Sequence, residues 1–314
     1  MNMPDLQKLA LQTRSMREAG VTFVIASGIL ALFFFISPAP QAPASAVTID
    51  TPPTPSAFDT VSIEAKAAIV YDLATGETLY ARNANAQLPL ASLTKLLTVY
   101  AALAELPPET PITIPADAAL VEAPRAFNVG QVLSLGDLAR LTLTASLNDG
   151  AAAIAITTAT HQNRSEHEML AGAAAALDLG QTYALNGSGL DVNAAVSGGY
   201  GSAQDLARLA GALVARAPNI AVATTRPTAQ AVSTGGTSFT VKNTDPITNT
   251  IPHLLLSKTG FTDLAGGNLA LVFDVGIEHP IAVVVLGSSV KARFTDGAAL
   301  VSATLAHFAG RASL

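Results

Sequence analysis

Ser92 and Lys95 stand three residues apart in Ser92-Leu93-Thr94-Lys95, at the head of an apolar-periodic run that reaches Leu106 and stops at Pro107-Pro108. On a helix, residues three apart share a face, so the hydroxyl and the amine would meet. Serine is a weak nucleophile until a neighbouring base takes its proton. Lysine is such a base only when neutral, and burial, nearby cations and a helix N-terminus all lower its pKa. The pair also has an ordinary reading, a helix N-cap followed by a surface lysine. Two further motifs are of the same kind. Ser146-Leu147-Asn148 interrupts a run of good helix formers and reads equally as a helix end. Lys258-Thr259-Gly260 follows the strand-like Leu254-Leu255-Leu256 and reads equally as a strand closing in a glycine turn. Each motif alone is weak. The three in this order, at these spacings, are together a strong sign of a lysine-based serine site.

Other chemistries are poorly supported. The five histidines, His161, His167, His253, His279 and His307, form no His-Glu-x-x-His pattern. His161 and His167, with Glu166 and Glu168, match no common metal spacing and read as solvated surface. Gly-x-Ser-x-Gly is absent. Gly198, Gly199 and Gly201 do not fit the dinucleotide fingerprint and read as a turn. The absence of cysteine excludes disulfides, thiolate metal sites and cysteine nucleophiles. A net charge of −6 without a basic block argues against nucleic-acid binding, which needs a Lys/Arg footprint.

The three motifs in this order resemble those of the penicillin-recognising serine enzymes, Ser-x-x-Lys, Ser-x-Asn and Lys-Thr-Gly. The surrounding text resembles the low-molecular-mass penicillin-binding proteins of the D-alanyl-D-alanine carboxypeptidase family. Pro89–Thr98 looks like that family's nucleophile segment, and Asn186-Gly187-Ser188-Gly189-Leu190-Asp191 like its Asn-x-x-Gly-Leu-Asp loop. Ser202–Ala207 looks like the following helix start, and Lys258–Gly266 like the third motif. The likeness runs from about Ile63 to Phe308. It implies a β-lactamase/transpeptidase-like α+β fold. It also implies that Ser92 attacks the carbonyl between two D-alanines of a peptidoglycan stem peptide, with Lys95 taking its proton. Ser146 would relay a proton to the leaving nitrogen, and Asn148 would hold the substrate amide and Lys95. Lys258, Thr259 and Arg293 would meet the terminal carboxylate, in the substrate groove at Gly260. The backbone N–H groups of Ser92 and Phe261 would form the oxyanion hole. β-Lactams would be covalent inhibitors, and no metal or cofactor is implied.

Departures from the family pattern matter. The family loop often carries His where Ser188 stands, so the loop is given no part in the chemistry. Phe261 follows the glycine of the third motif, where a polar side chain is common. A class A β-lactamase shares the motifs but needs a loop glutamate, and Glu166 and Glu168 lack the usual setting. Two further functions share the motif chemistry, a D,D-endopeptidase and a non-catalytic penicillin sensor.

The elements that must position these residues are legible from periodicity. Ala65–Asp72 and Glu77–Arg82 read as a hairpin turned at Ala74-Thr75-Gly76. Residues 92–106, 135–159, 167–179 and 203–216 read as helices, the last ended by Pro218. Residues 238–241, 269–275 and 281–287 read as strands, and 298–308 as a terminal helix. Strands therefore lie at both chain ends, with helices between. The expected result is one antiparallel sheet built from the two ends, with helices on its faces. The sixty alanines favour helix almost everywhere, so helix ends are poorly marked by propensity.

The N-terminus reads differently. Residues 1–18 carry Lys8, Arg14 and Arg17, and residues 19–36 are eighteen residues without a charge. As a helix the latter would span ~27 Å, close to the hydrocarbon core of a bilayer. Basic residues ahead of it direct the N-terminus to the cytoplasm and the rest of the chain outward. Residues 37–56 contain six prolines and read as an extended spacer before the domain at 57–314. The expectation is a single-pass anchor in the cell membrane. The competing reading is a cleaved signal peptide, with Ala44-Ser45-Ala46 as its processing site. Mass spectrometry of cell-extracted protein separates them. A retained apolar segment is expected, and a mature chain beginning at Val47 would overturn the anchor.

Overall fold

The computed structural model describes residues 56–311. The segments read as anchor and spacer, through residue 55, lie outside the described residues. The organising element is a five-stranded antiparallel sheet. Its strands are β1 (Ala67–Asp72), β2 (Thr78–Arg82), β3 (Leu254–Thr262), β4 (Gly266–Asp274) and β5 (Pro280–Ser288), in the order β3-β4-β5-β1-β2. Both chain ends thus meet in one sheet as expected, with β1 beside β5 and Val70 opposite Val283. The inner strands are mostly apolar because both faces are covered. Ala282, Val284 and Leu286 of β5 enter one core with Ile69, and Ile281, Val283 and Val285 enter the other with Val70. This is the period-two alternation of a strand buried on two sides.

Helix α6 (Ala292–Arg311) closes one face through Leu300, Val301 and Ala303. On the other face lie α1 (Thr94–Glu105), α2 (Leu135–Ala145), α3 (Asn148–His161), α4 (Glu166–Ala176) and α5 (Ala203–Arg216). Helix α1 runs through the middle of this lobe, with Leu96, Leu97 and Val99 essentially inaccessible. The alanine richness has a packing purpose here. A Cβ at Gly187 would stand 2.4 Å from Ala155 Cβ of α3, so the loop closes onto the helix only because both residues are small.

Four local readings change. Residues 135–159 are two helices, because Ser146 adopts a left-handed conformation (φ +59°) and ends α2 before Leu147 turns extended. The third motif is no glycine turn, since β3 continues through Lys258, Thr259 and Gly260 to Thr262. The terminal helix begins at Ala292, six residues earlier than its apolar spacing indicates. A strand at Thr228–Val232 pairs with Ser238–Lys242, its Thr-Ala-Gln-Ala-Val pattern too weakly apolar to mark it.

The junction of the chain ends is fastened by one buried carboxylate. Asp296 of α6 accepts hydrogen bonds from Glu64 N and Ala65 N (3.0 Å each) and from Ser288 Oγ (2.7 Å). Asp296→Ala leaves these donors unpaired in the interior and should cost about 3 kcal/mol, lowering Tm by roughly 6–12 °C in a domain of this size. Thermal unfolding followed by circular dichroism checks this, and an unchanged midpoint would show that the carboxylate does not hold the junction.

Candidate active site

Ser92 lies in a single 3-10 turn (Ala91–Leu93) that leads into α1, and its side chain caps nothing. The ordinary N-cap reading therefore fails. The hydroxyl instead lies 2.7 Å from Lys95 Nζ. The turn is set from the sheet side. The buried Asn268 of β4 donates to the carbonyls of Pro89 and Leu90 (3.0 Å each) and accepts from Gly287 N (2.8 Å). Gly260 of β3 backs directly onto it, where a Cβ would come within 2.9 Å of Leu90 O and 3.3 Å of Ser92 N. Only glycine lets the strand lie this close to the nucleophile's backbone.

Lys95 is fully buried and not at the surface. Its Nζ donates to Asn148 Oδ1 and to Ser188 O (2.7 Å each). The orientation of the Asn148 amide is fixed independently. Its Nδ2 donates to the carbonyls of Glu122 (3.0 Å) and Ala123 (2.9 Å), which leaves Oδ1 facing the lysine. Burial, and then the charge of Lys258, push the Lys95 pKa well below the usual lysine value, with Asp149 acting weakly in the opposite sense. A neutral amine has two N–H bonds and one lone pair. Asn148 Oδ1 and Ser188 O are pure acceptors and take both N–H bonds. The lone pair is left for the Ser92 hydroxyl, which donates to it. This is the geometry of a general base on its nucleophile.

The second lysine serves the other side of the site. Lys258 is 1% exposed, and its Nζ donates to Ser146 Oγ and to Thr259 O (2.8 Å each). Burial, then the neighbouring Arg293, lower its pKa to about 7, with Asp245 opposing. Ser146 reaches it because the left-handed residue between α2 and α3 turns the hydroxyl inward. Asp149 ties the start of α3 to the 126–127 segment, accepting from Ala126 N, Phe127 N and Gly150 N (2.7, 2.8 and 2.8 Å). Arg293, at the start of α6, donates through Nη1 to Gly260 O (2.6 Å), while its Nε is buried without a protein partner.

Ser92, Asn148, Gly189, Phe261 and Thr262 line one cleft of about 470 Å³. Phe261 is half exposed on its rim. Of the nine residues singled out from sequence, Ser92, Asn148 and Phe261 line this cleft; Lys95 and Gly260 lie against Ser92, Arg293 binds Gly260 O, and Lys258 joins Ser146 to Thr259. Besides Asn268, two more contributors to the site escape sequence reasoning. Asp149 adjoins the second motif, and nothing in its spacing marks it. The 186–191 loop carries Ser188 in place of a histidine, yet what it supplies is a backbone carbonyl, which any residue carries. Gly189 (φ +76°) lets that loop press on the nucleophile turn, since a Cβ there would lie 2.0 Å from Ala91 O. The two glutamates weighed for a β-lactamase are held elsewhere. Glu166 accepts from Gly187 N (3.2 Å), and Glu168 caps its own helix with Ser165.

Residues 51–290 match the family profile described as D-alanyl-D-alanine carboxypeptidase. The chain belongs to this family. Arg293 falls just beyond the matched stretch. A D-alanyl-D-alanine endopeptidase of Pseudomonas aeruginosa is 30% identical over 266 residues, 82% of each chain. The fold is shared with a D-alanyl-D-alanine carboxypeptidase of Mycobacterium tuberculosis H37Rv, at 25% identity and TM-score 0.69, over 78% of this chain and 92% of that one. It is shared also with penicillin-binding protein D2 of Listeria monocytogenes in its ampicillin-bound form, at 26% identity and TM-score 0.64, over 77% and 97%. The β-lactamase/transpeptidase-like α+β architecture expected from sequence is the one present.

The split between the lysines predicts a pH signature. Below about 7 Lys258 is protonated and attracts an anionic substrate end, and above it the charge is lost. Since kcat/KM reports the free enzyme, its value for a substrate ending in a free carboxylate should fall as pH rises through this region. The corresponding methyl ester should show no such fall. Paired pH profiles decide, and an identical basic limb for acid and ester would contradict the assignment.

Proposed function

We propose that the protein is a serine-type D-alanyl-D-alanine carboxypeptidase that trims peptidoglycan stem peptides. The observation that carries this reading is the buried amine of Lys95, committed by two acceptors to receive the Ser92 proton at the floor of an open cleft. Ser92 Oγ attacks the carbonyl carbon between the two terminal D-alanines as its proton passes to Lys95. The resulting oxyanion is held by the N–H groups of Ser92 and Phe261, a role supported by the close approach of Gly260 to Ser92 N. The C–N bond then breaks. Ser146 relays to the leaving nitrogen the proton that Lys95 took from Ser92, so Lys95 is neutral again, while Lys258 keeps its proton and holds the Ser146 hydroxyl in place. D-Alanine departs and the peptide stays esterified to Ser92. Water, deprotonated by Lys95, hydrolyses the ester and regenerates the enzyme. Asn148 holds the substrate amide, and Lys258, Thr259 and Arg293 draw in the terminal carboxylate. A β-lactam presents a strained amide beside a carboxylate and acylates Ser92 in the same way.

Endopeptidase action on cross-linked stems is the second reading, favoured by the relative of that name. The bond cleaved is the same in kind, and only the group beyond it is larger. Attachment by residues 19–36, with the domain outside the cytoplasmic membrane, is supported by the uncharged run and the basic residues before it.

Incubation with a fluorescent penicillin followed by peptide mapping tests the reading, alongside D-alanine release from a pentapeptide and cleavage of a cross-linked dimer. A label on Ser92, its loss in Ser92→Ala, and free D-alanine are expected. A label on Ser146 would overturn the nucleophile. Dimer cleavage without D-alanine release would favour the endopeptidase.

A further inference from the structure

Thr244 belongs to none of the three motifs. It lies between the strand Ser238–Lys242 and β3, and its Oγ stands 2.6 Å from Thr259 Oγ. Among the described residues, each hydroxyl is the other's only side-chain partner. The segment is pinned on both sides. Asn243 Nδ2 donates to Thr224 O and Arg226 O (2.6 and 2.8 Å), and the buried Asp245 carboxylate accepts from Ser257 Oγ and Ile247 N (2.6 and 2.9 Å). Thr244 N itself donates to Thr144 O (3.2 Å). The contact between the threonines is therefore enforced by the backbone. Thr259 is 3% exposed, whereas Thr244 faces solvent.

We propose that Thr244 is a positioning residue for the substrate's terminal carboxylate: its hydroxyl donates to Thr259 and so turns the single Thr259 proton toward the substrate. The inference rests on the carboxylate-binding role given to Thr259 above. A hydroxyl has one proton, and an ionised carboxylate only accepts. At 2.6 Å one threonine must donate to the other. If Thr259 donated to Thr244, it would present lone pairs to the carboxylate and repel it. If Thr244 donates, the Thr259 proton is free for the anion, and each bond in the chain strengthens the next. Thr244 oxygen then accepts from water on its exposed side, so its proton has no competing protein acceptor. The anion itself selects this polarity, and the selectivity for acids over esters depends in part on Thr244.

The test compares kcat/KM for a depsipeptide ending in D-lactate with that for its methyl ester, using the full chain. Thr244→Val keeps the branched shape and removes the hydroxyl, and Thr244→Ser restores it. In Thr244→Val the acid-over-ester preference should fall about tenfold, the size of one hydrogen bond, with most of the loss in KM. Thr244→Ser should recover it. In a Thr259→Val background, Thr244→Val should change the preference no further, because the two act in series. An unaltered preference in Thr244→Val, or losses that add in the double variant, would overturn the inference. Equal losses for acid and ester with a lowered Tm would mark a purely structural role and also overturn it. A wild-type enzyme with no preference for the acid would instead refute the carboxylate role of Thr259, the separate reading on which this one stands.

Discussion

An amine held without a proton in the interior is the constraint on which the site depends. Lys95 has no access to water, and none of its three contacts is a carboxylate. A buried ammonium is costly, so the group neutralises instead. Neutrality then dictates direction, because two N–H bonds meet two carbonyl-type acceptors and the lone pair meets Ser92. Lys258 reinforces this. It stays chargeable near neutrality and its field disfavours a second charge at Lys95. One lysine becomes the base and the other the cation, by environment alone.

Much of the irregular backbone serves that arrangement. The left-handed Ser146 breaks what would be one helix and turns a hydroxyl toward Lys258. Asn148, first residue of the next helix, is pulled into register by the carbonyls of Glu122 and Ala123. Gly189 and Gly260 let a loop and a strand close on the nucleophile turn from opposite sides. These features cost stability. Lys258 binds a proton less readily in the folded state than in the unfolded chain, so between about 7 and the ordinary lysine range the unfolded state holds more protons. Stability therefore rises with pH across that window, the penalty being greatest below it.

The sheet was legible because its inner strands are apolar on both faces and lie at the two chain ends. The catalytic residues were legible because the three short motifs stand in the order known from a family they resemble, in a chain with only 13% charged residues. What escaped had no such marker. The triplet Ser146-Leu147-Asn148 offers a helix end while the alanine-rich run around it favours one continuous helix, and one φ angle at Ser146 decides between them. Ser188 contributes a carbonyl, invisible in side-chain type. Asp149, Asn268 and Thr244 act through tertiary contacts with residues far away in the chain, and only the fold brings those partners together.

Direct titration of Lys95 tests the account at its centre. Carbon-13 labelling at lysine Cε, with the Lys95 signal identified by its loss in Lys95→Arg, reports the protonation state of this amine in the free enzyme by NMR. A Lys95 signal that titrates well below the usual lysine range is expected. A Lys95 signal that stays that of an ammonium up to about pH 10, the ordinary value, would contradict it, because the Ser92 hydroxyl would then have no lone pair to receive its proton.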